Sequence, residues 1–292
     1  MCAKRIKNKQ KMRLKEFEPL SIHTTYKAGG LSRYFIEPYN LSELFTALEF
    51  AKDKTFFILG AGSNVLFSDK LFDGVVISLK SFNRYVIAKN GNIICGAGCF
   101  LDNVISFSIS NNLSGLENLS GIPGSVGGAI YMNAGAFDIE IKDFVTFIKT
   151  MDFLGNIKTY KKNDLNFSYR SSGLRDEVVV EAVFTLKKGT AIENKRVEIL
   201  KKRAEKQPLE YLSCGSVFKR PKGNFAGALI ESCGLKGYSI GKAEVSKKHA
   251  NFIVNKGGAT SSDIYNLINY VKEVVCKKYG IILEEEVKLV NF

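Results

Sequence analysis

Two glycine-bearing stretches are where this chain could hold a ligand with its backbone. The denser lies between residues 115 and 135, with six glycines (115, 121, 124, 127, 128 and 135) and one proline. Glycine costs backbone entropy and brings no side chain, so such density answers a need for positive φ or for close backbone approach. Pro123 and Gly124 set a tight turn. Ser125, Gly127 and Gly128 then offer N–H groups that nothing bulky shields, and successive N–H groups form nests for phosphate oxygens. A loop that packs two layers together would use the same glycines. The second stretch is Gly60, Ala61, Gly62, Ser63 and Asn64, directly after a short apolar run at 56–59. It lacks the GxGxxG spacing and following helix of a dinucleotide-binding βαβ unit. Phosphate loop and plain turn both remain open for it.

The elements that must position these loops can be read in order. A polar loop over 21–30 enters a strand at 33–36. Asn40 and Glu43 have the spacing of a capping box, and Leu41, Leu44, Phe45 and Leu48 follow at helical intervals. Strands are expected at 56–59 and 75–79. Asn90 and Gly91 suit a type I′ hairpin turn between 85 and 95. An amphipathic helix over 101–110 delivers the chain to the long glycine stretch. A second hairpin turns at Leu154, Gly155 and Asn156, and a β-branched strand runs over 177–186.

Lys187, Lys188 and Gly189 break that strand, which places a domain boundary near 188–192. A lysine-rich helix over 192–207 follows, with Val197, Leu200 and Ala204 on one side, and ends at Gln207 before Pro208. Further helices are expected at 224–233 and 261–279, and strands at 252–254 and 281–290. Thr260 or Ser261 can cap the last helix and Gly280 can end it. The organisation is therefore α+β: a basic extension (1–20), a larger domain (21–188, subdomains about 21–80 and 81–188) and a smaller domain (189–292).

Composition narrows the class. The chain has 292 residues, 45% of them apolar, as a globular protein of about two domains would. No stretch reaches the ~18 apolar residues of a membrane span, and the basic start lacks the apolar run of a secretory signal. A cytoplasmic protein is expected. The six cysteines form no CxxC pair and are expected to be free thiols. Two histidines, His23 and His249, argue against a His/Cys zinc site. The net charge of +13 is concentrated partly in a solvated arm bearing Lys4, Arg5, Lys7, Lys9, Lys11, Arg13 and Lys15. The rest suits anionic ligands as well as nucleic acid, but aromatics do not interleave with the basic residues as a single-strand platform requires.

Taken together, the pieces resemble the UDP-N-acetylenolpyruvoylglucosamine reductases, the MurB family. The 60–64 loop matches its first flavin loop. Gly121, Ile122, Pro123, Gly124, Ser125, Gly127 and Gly128, with Asn133, Ala134 and Gly135, resemble its second. Tyr169 and Arg170 before Ser171 and Ser172, then Gly215 to Pro221, then His249 to Asn255, then Leu283, Glu284, Glu285, Glu286 and Val287 complete the family's order from about residue 21 to 290.

The resemblance implies an FAD-binding fold of the vanillyl-alcohol-oxidase/MurB type, with two subdomains and a C-terminal α+β substrate domain. It implies non-covalent FAD, NADPH as hydride donor and UDP-N-acetylenolpyruvoylglucosamine as substrate, whose enolpyruvyl ether is reduced to a lactyl ether for peptidoglycan synthesis. The chain looks like the shorter, second form of the family and is expected to be a monomer that binds no nucleic acid. Position 291 is Asn where relatives commonly have Gly, and Asn tolerates the left-handed conformation.

That chemistry asks for particular residues. Hydride added to the β-carbon of an enolpyruvyl group leaves charge at C2, delocalised into the carboxylate. A donor must hold that carboxylate and an acid must protonate C2. Through the resemblance, Arg170 suits the first role, Ser216 the second, and Glu286 helps hold the growing charge. Period-two alternation instead sets Glu285 apart, on one face with Ile281, Leu283, Val287 and Leu289. The family position, directly before Val287, points to Glu286. Tyr169, Lys219, Arg220, His249 and Asn251 are the matching substrate-binding candidates. Two rivals remain: an oxidase of the same fold, with Cys99 as a conceivable flavin tether, and a basic nucleic-acid module.

Overall fold

The computed structural model describes residues 12–292. Cys2 and the Lys4, Arg5, Lys7, Lys9 and Lys11 part of the basic arm lie outside them. The first unit comprises β1 (Arg13–Pro19), β2 (Leu31–Glu37), α1 (Leu41–Ala51), β3 (Phe56–Leu59), β4 (Val65–Phe67) and β5 (Phe72–Ser78). Four of the strands form a sheet in the order β1-β2-β5-β3, antiparallel between β1 and β2 and parallel elsewhere. Arg13 and Lys15, assigned to the solvated arm, instead stand in β1 opposite Glu37 and Phe35. The strand supplies hydrogen-bond partners that the edge of β2 would otherwise lack. Asn40 caps α1 by accepting from the Glu43 N–H, while Glu43 itself takes the N–H of Tyr39.

The second unit is an antiparallel sheet of β6 (Val86–Lys89), β7 (Asn92–Gly96), β8 (Val145–Asp152), β9 (Ile157–Lys161) and β10 (Glu177–Thr185), in the order β9-β8-β10-β7-β6. Asn90 and Gly91 both have positive φ, at 51° and 77°, as a type I′ turn demands. Two helices cover the sheet's approach to the glycine stretch: α2 (Leu101–Ser110) and the short α3 (Val126–Tyr131). One buried cluster, from Ile36 to Leu186, joins the two units.

Helix α4 (Ile192–Lys206) corrects the expected buried face. It buries Ile192, Ile199 and Arg203, whereas Val197 is 58% exposed and Ala204 is exposed. Its side chains also reach back to the larger domain, Arg196 to Asp102 and Ser106, and Lys195 to Glu117. The helix thus touches the preceding units, while its Ala204 O accepts from Lys248 of the third, and the chain turns extended at Gln207 ahead of Pro208.

The third unit holds α5 (Ala226–Ser232), β11 (Ser239–Ile240), β12 (Ala243–Val245), β13 (Ile253–Asn255) and α6 (Ser261–Tyr279). Thr260 and Asp263 make a full capping box on α6, and Gly280 ends it at φ 67°. The strand expected over 281–290 is only β14 (Lys288–Val290). Upstream of it, the Glu286 and Val287 N–H groups both donate to Val217 O, at 2.7 and 3.3 Å. Two adjacent donors on one acceptor break the alternation that a strand needs. β14 pairs in parallel with β4, so the third unit is stitched to the first.

Candidate active site

The 60–64 loop is an open cradle. Among the described residues, none accepts a hydrogen bond from the N–H groups of Gly60, Ala61, Gly62, Ser63 or Asn64. Gly62 turns at φ 73°, and a Cβ there would lie 2.0 Å from His23 O. Ser63 Oγ donates to Pro123 O at 2.8 Å and ties this loop to the second one. A cleft of about 290 Å³ opens between them, lined by Thr25, Ala61, Ser63, Phe100, Ile122, Pro123 and Gly124 among others. Free N–H groups on a glycine cradle beside such a cleft fit the diphosphate of a dinucleotide cofactor.

The second loop divides its work. Gly127 N–H donates to Ala97 O at 2.9 Å, and Gly128 N–H to Ser125 Oγ at 3.3 Å. A Cβ on Gly127 would sit 2.9 Å from that of Ala97. Gly127 lets helix α3 lie against Ala97 just after β7, Gly128 is taken up by Ser125, and the unclaimed N–H groups are those of the first loop. Asn133 is wholly buried and donates to Ser168 O at 2.9 Å. Gly135 O accepts from Arg170 Nη2 at 3.2 Å. The 133–135 segment thus buttresses the Tyr169–Arg170 turn. Cys99 is buried, with Sγ donating to Tyr85 O, and burial raises its thiol pKa, which leaves it a poor tether.

Arg170 sits at φ 57° in a two-residue turn closed by reciprocal Ser168–Ser171 backbone bonds of 2.9 and 3.1 Å. A left-handed arginine is backbone strain of the kind that collects at functional sites. The turn projects Arg170 toward the third unit, where its Nε donates to Glu286 Oε1 at 2.6 Å. Glu285 pairs instead with Lys272, so the carboxylate facing Arg170 is Glu286. The Asn64 amide donates to Glu286 O at 3.1 Å, which joins the cradle to this cluster. Ser216 follows Gly215, at φ 76°, and stands opposite Phe252 in a single antiparallel bridge. Tyr169, Arg170, Ser216, Arg220, His249, Asn251 and Glu286 all line one cleft of about 420 Å³.

Electrostatics differ across this cleft. Burial raises the Glu286 carboxyl above the ordinary carboxylate value, against the opposing pull of Arg170 and Lys219. Burial lowers the pKa of His249, so its ring is neutral near pH 7. The Asn251 N–H donates to His249 Nδ1 at 3.3 Å, which assigns the ring proton to Nε2.

Not every candidate is free for a ligand. The Asn251 amide is spent on both backbone groups of Phe218. Lys219 pairs with exposed Glu284 and is not part of the cleft wall. Arg220 lies over the Phe225 ring, 4.5 Å from its centroid, and its N–H donates to Tyr169 Oη. Phe225 and Lys248 line the same cleft. Neither carried a signal by itself, although Lys248 directly precedes His249. Thr25, which donates to Gly62 O through its N–H, lay unmarked in the 21–30 loop.

Comparison with known proteins places this architecture. Residues 32–160 match a family profile described as an FAD binding domain, and residues 207–290 match one for the C-terminal domain of UDP-N-acetylenolpyruvoylglucosamine reductase. A protein of that name from Caldanaerobacter subterraneus subsp. tengcongensis is 44% identical over 280 residues, covering 94% of this chain and 92% of the relative. Another, from Agathobacter rectalis, is 43% identical over 292 residues, covering 94% and 93%. The crystal structure of the reductase (MurB) from Thermus caldophilus superposes with a TM-score of 0.84 at 32% identity, covering 96% of this chain and all of that one. The two flavin-side units, the substrate-side unit stitched onto them and these likenesses over nearly the whole length make the chain a member of the UDP-N-acetylenolpyruvoylglucosamine reductase (MurB) family.

Proposed function

We infer that this enzyme reduces the enolpyruvyl ether of UDP-N-acetylenolpyruvoylglucosamine to the lactyl ether of UDP-N-acetylmuramate, using FAD and NADPH. One observation carries the assignment of roles. Arg170, Ser216 and Glu286 come from three distant parts of the chain and line one cleft, and Asn64 of the glycine cradle is bonded to the backbone of Glu286. Bound FAD supplies hydride transfer, from NADPH to the β-carbon of the substrate.

The chain's own residues do the rest. The 60–64 N–H groups hold the cofactor diphosphate. Arg170 turns its guanidinium from Glu286 toward the substrate carboxylate, which it matches in shape and charge. Glu286, whose carboxyl pKa burial raises above the ordinary value, pairs with Arg170 beside the place where charge builds on the substrate. Ser216 gives its hydroxyl proton to C2, a strongly basic carbon in the aci-carboxylate, and is reprotonated by water. Arg220 and His249, with Tyr169 against the Arg220 backbone, line the space left for the nucleotide sugar.

We further propose that the enzyme works in the cytoplasm and as a monomer, since all three catalytic groups come from one chain. Among the described residues no helix is long and apolar enough to cross a membrane. Sedimentation at micromolar concentration checks the oligomeric state. The reaction is tested anaerobically. Enzyme reduced by NADPH is mixed with the enolpyruvyl sugar nucleotide, and flavin absorbance is followed. Reoxidation by that substrate supports the reading. A reduced enzyme indifferent to it, yet rapidly reoxidised by oxygen, would indicate an oxidase.

A further inference from the structure

Phe225 is an aromatic ring left in water on the wall of a ligand cleft. It is 62% exposed and lines the cleft shared by Arg170, Ser216 and Glu286. An exposed phenyl ring forfeits the gain of burial. This one is nevertheless held in place. It stands directly before α5, and the Arg220 guanidinium lies over one face, 4.5 Å from the centroid. Beside it, Ala226, Gly227 and Ala228 line the wall with nothing bulkier than a methyl group. A fixed ring with a cation on one face, most of its surface open and small neighbours is shaped for a flat group.

A run of contacts shows which end of a ligand reaches it. Arg170 bonds Glu286 and lies over the Tyr169 ring, Tyr169 Oη accepts from the Arg220 N–H, and Arg220 covers Phe225. Phe225 therefore ends the run that begins at the carboxylate-handling pair. In the sugar nucleotide the enolpyruvyl group and the uracil are likewise at opposite ends, with the diphosphate between them. An enolpyruvyl group at Arg170 and a diphosphate at Arg220 bring the base to Phe225. Tyr169 is a second half-exposed ring in the cleft, but it lies against Arg170 at the reacting end. The His249 ring stands edge-on to Phe252.

We propose that Phe225 is the stacking platform for the uracil ring of the substrate. The base lies on the phenyl face opposite Arg220, and Arg220 keeps the edge of its guanidinium for the diphosphate. The proposal rests on the sugar-nucleotide reading above. Every base has a π-face, so the ring sets how tightly the nucleotide is held and where it lies, not which base is chosen.

The test uses FAD-loaded protein with UDP as the probe, and titration calorimetry as the readout. Wild type is compared with Phe225→Ala, Phe225→Trp, Arg220→Met and the double variant Phe225→Ala with Arg220→Met. Phe225→Ala should raise the UDP dissociation constant roughly 5- to 150-fold, the range of one lost base–aromatic stack, and Phe225→Trp should restore it. The loss should persist in the Arg220→Met background, because the ring acts on the base and not through the guanidinium. The ring is largely exposed, so thermal melts should shift little. A loss that vanishes in the Arg220→Met background would make Phe225 a support for Arg220 and overturn the proposal. So would a UDP affinity that Phe225→Ala leaves unchanged. A loss confined to NADPH in the reductive half-reaction would seat that molecule's adenine on the ring and overturn it as well. Wild-type enzyme that does not bind UDP would overturn it together with the sugar-nucleotide reading beneath it.

Discussion

Arg170 Nε and Glu286 Oε1 meet at 2.6 Å although the two residues lie 116 positions apart. One belongs to a strained turn on the flavin side, the other to the irregular segment before β14. Arg170→Met should leave Glu286 buried without its partner. The expected loss in kcat/KM for the enolpyruvyl substrate is roughly 30- to 150-fold, from about 2–3 kcal/mol of broken pair and lost substrate contact. Flavin reduction by NADPH, measured separately, should change much less.

Ser216→Ala removes one oxygen that, among the described residues, has no hydrogen-bond partner, so folding should be unaffected. Reoxidation of reduced flavin by the enolpyruvyl substrate should slow by about 10²–10⁴-fold, the range expected for loss of a positioned acid. Single-turnover absorbance isolates that step, and an unchanged rate would remove Ser216 from the mechanism.

Glu286 has its pKa raised by burial. A carboxyl that binds its proton more tightly when folded stabilises the fold most below its unfolded value near 4.3, and that contribution is lost as pH rises through the folded value. Turnover should fall over the same rise in pH if the protonated acid is the working form. Glu286→Gln should flatten both profiles, seen in thermal melts and in kcat against pH.

His249 behaves with the opposite sign. Burial depresses its pKa, so its contribution is complete above the unfolded value near 6.5 and declines as pH falls below it. His249→Gln should reduce the loss of stability as pH falls below about 6.5, measured by denaturant midpoint.

Asp69 accepts from the Ser261 and Ser262 N–H groups at 2.9 and 2.7 Å and from Ser262 Oγ, and so caps α6 from the first unit. Burial opposes its charge, but these bonds outweigh burial and hold its pKa below the usual carboxylate value. Asp69→Ala should cost about 1–2 kcal/mol. The larger sign should be weaker attachment of the third unit, read as faster hydrogen exchange in 261–265.

Sequence made much of this legible where local chemistry decides. Thr260, Asp263 and Gly280 marked both ends of α6, and Asn291 takes φ 66° where a glycine was the family habit. Reading failed where a distant contact decides. Alternation alone set Glu285 apart, whereas the family position pointed to Glu286, the residue that faces Arg170; Val217 O, accepting two adjacent N–H groups, breaks the alternation there. Gly127 and Gly128 carried the composition of a nest, but Ala97 and Ser125 claim their N–H groups. Helix α4 looked like an ordinary amphipathic helix, and the buried position turned out to belong to an arginine, Arg203. Lys219 and Asn251 had suitable chemistry for a ligand, but Glu284 and the Phe218 backbone already engage them.

The parallel pairing of β14 with β4 has a consequence for biosynthesis. Glu286 is translated 222 residues after Asn64, the last residue of the cradle that it helps to hold. A chain still lacking that segment has the glycines but not the brace, so a truncation before Glu286 should hold FAD less tightly than the whole chain.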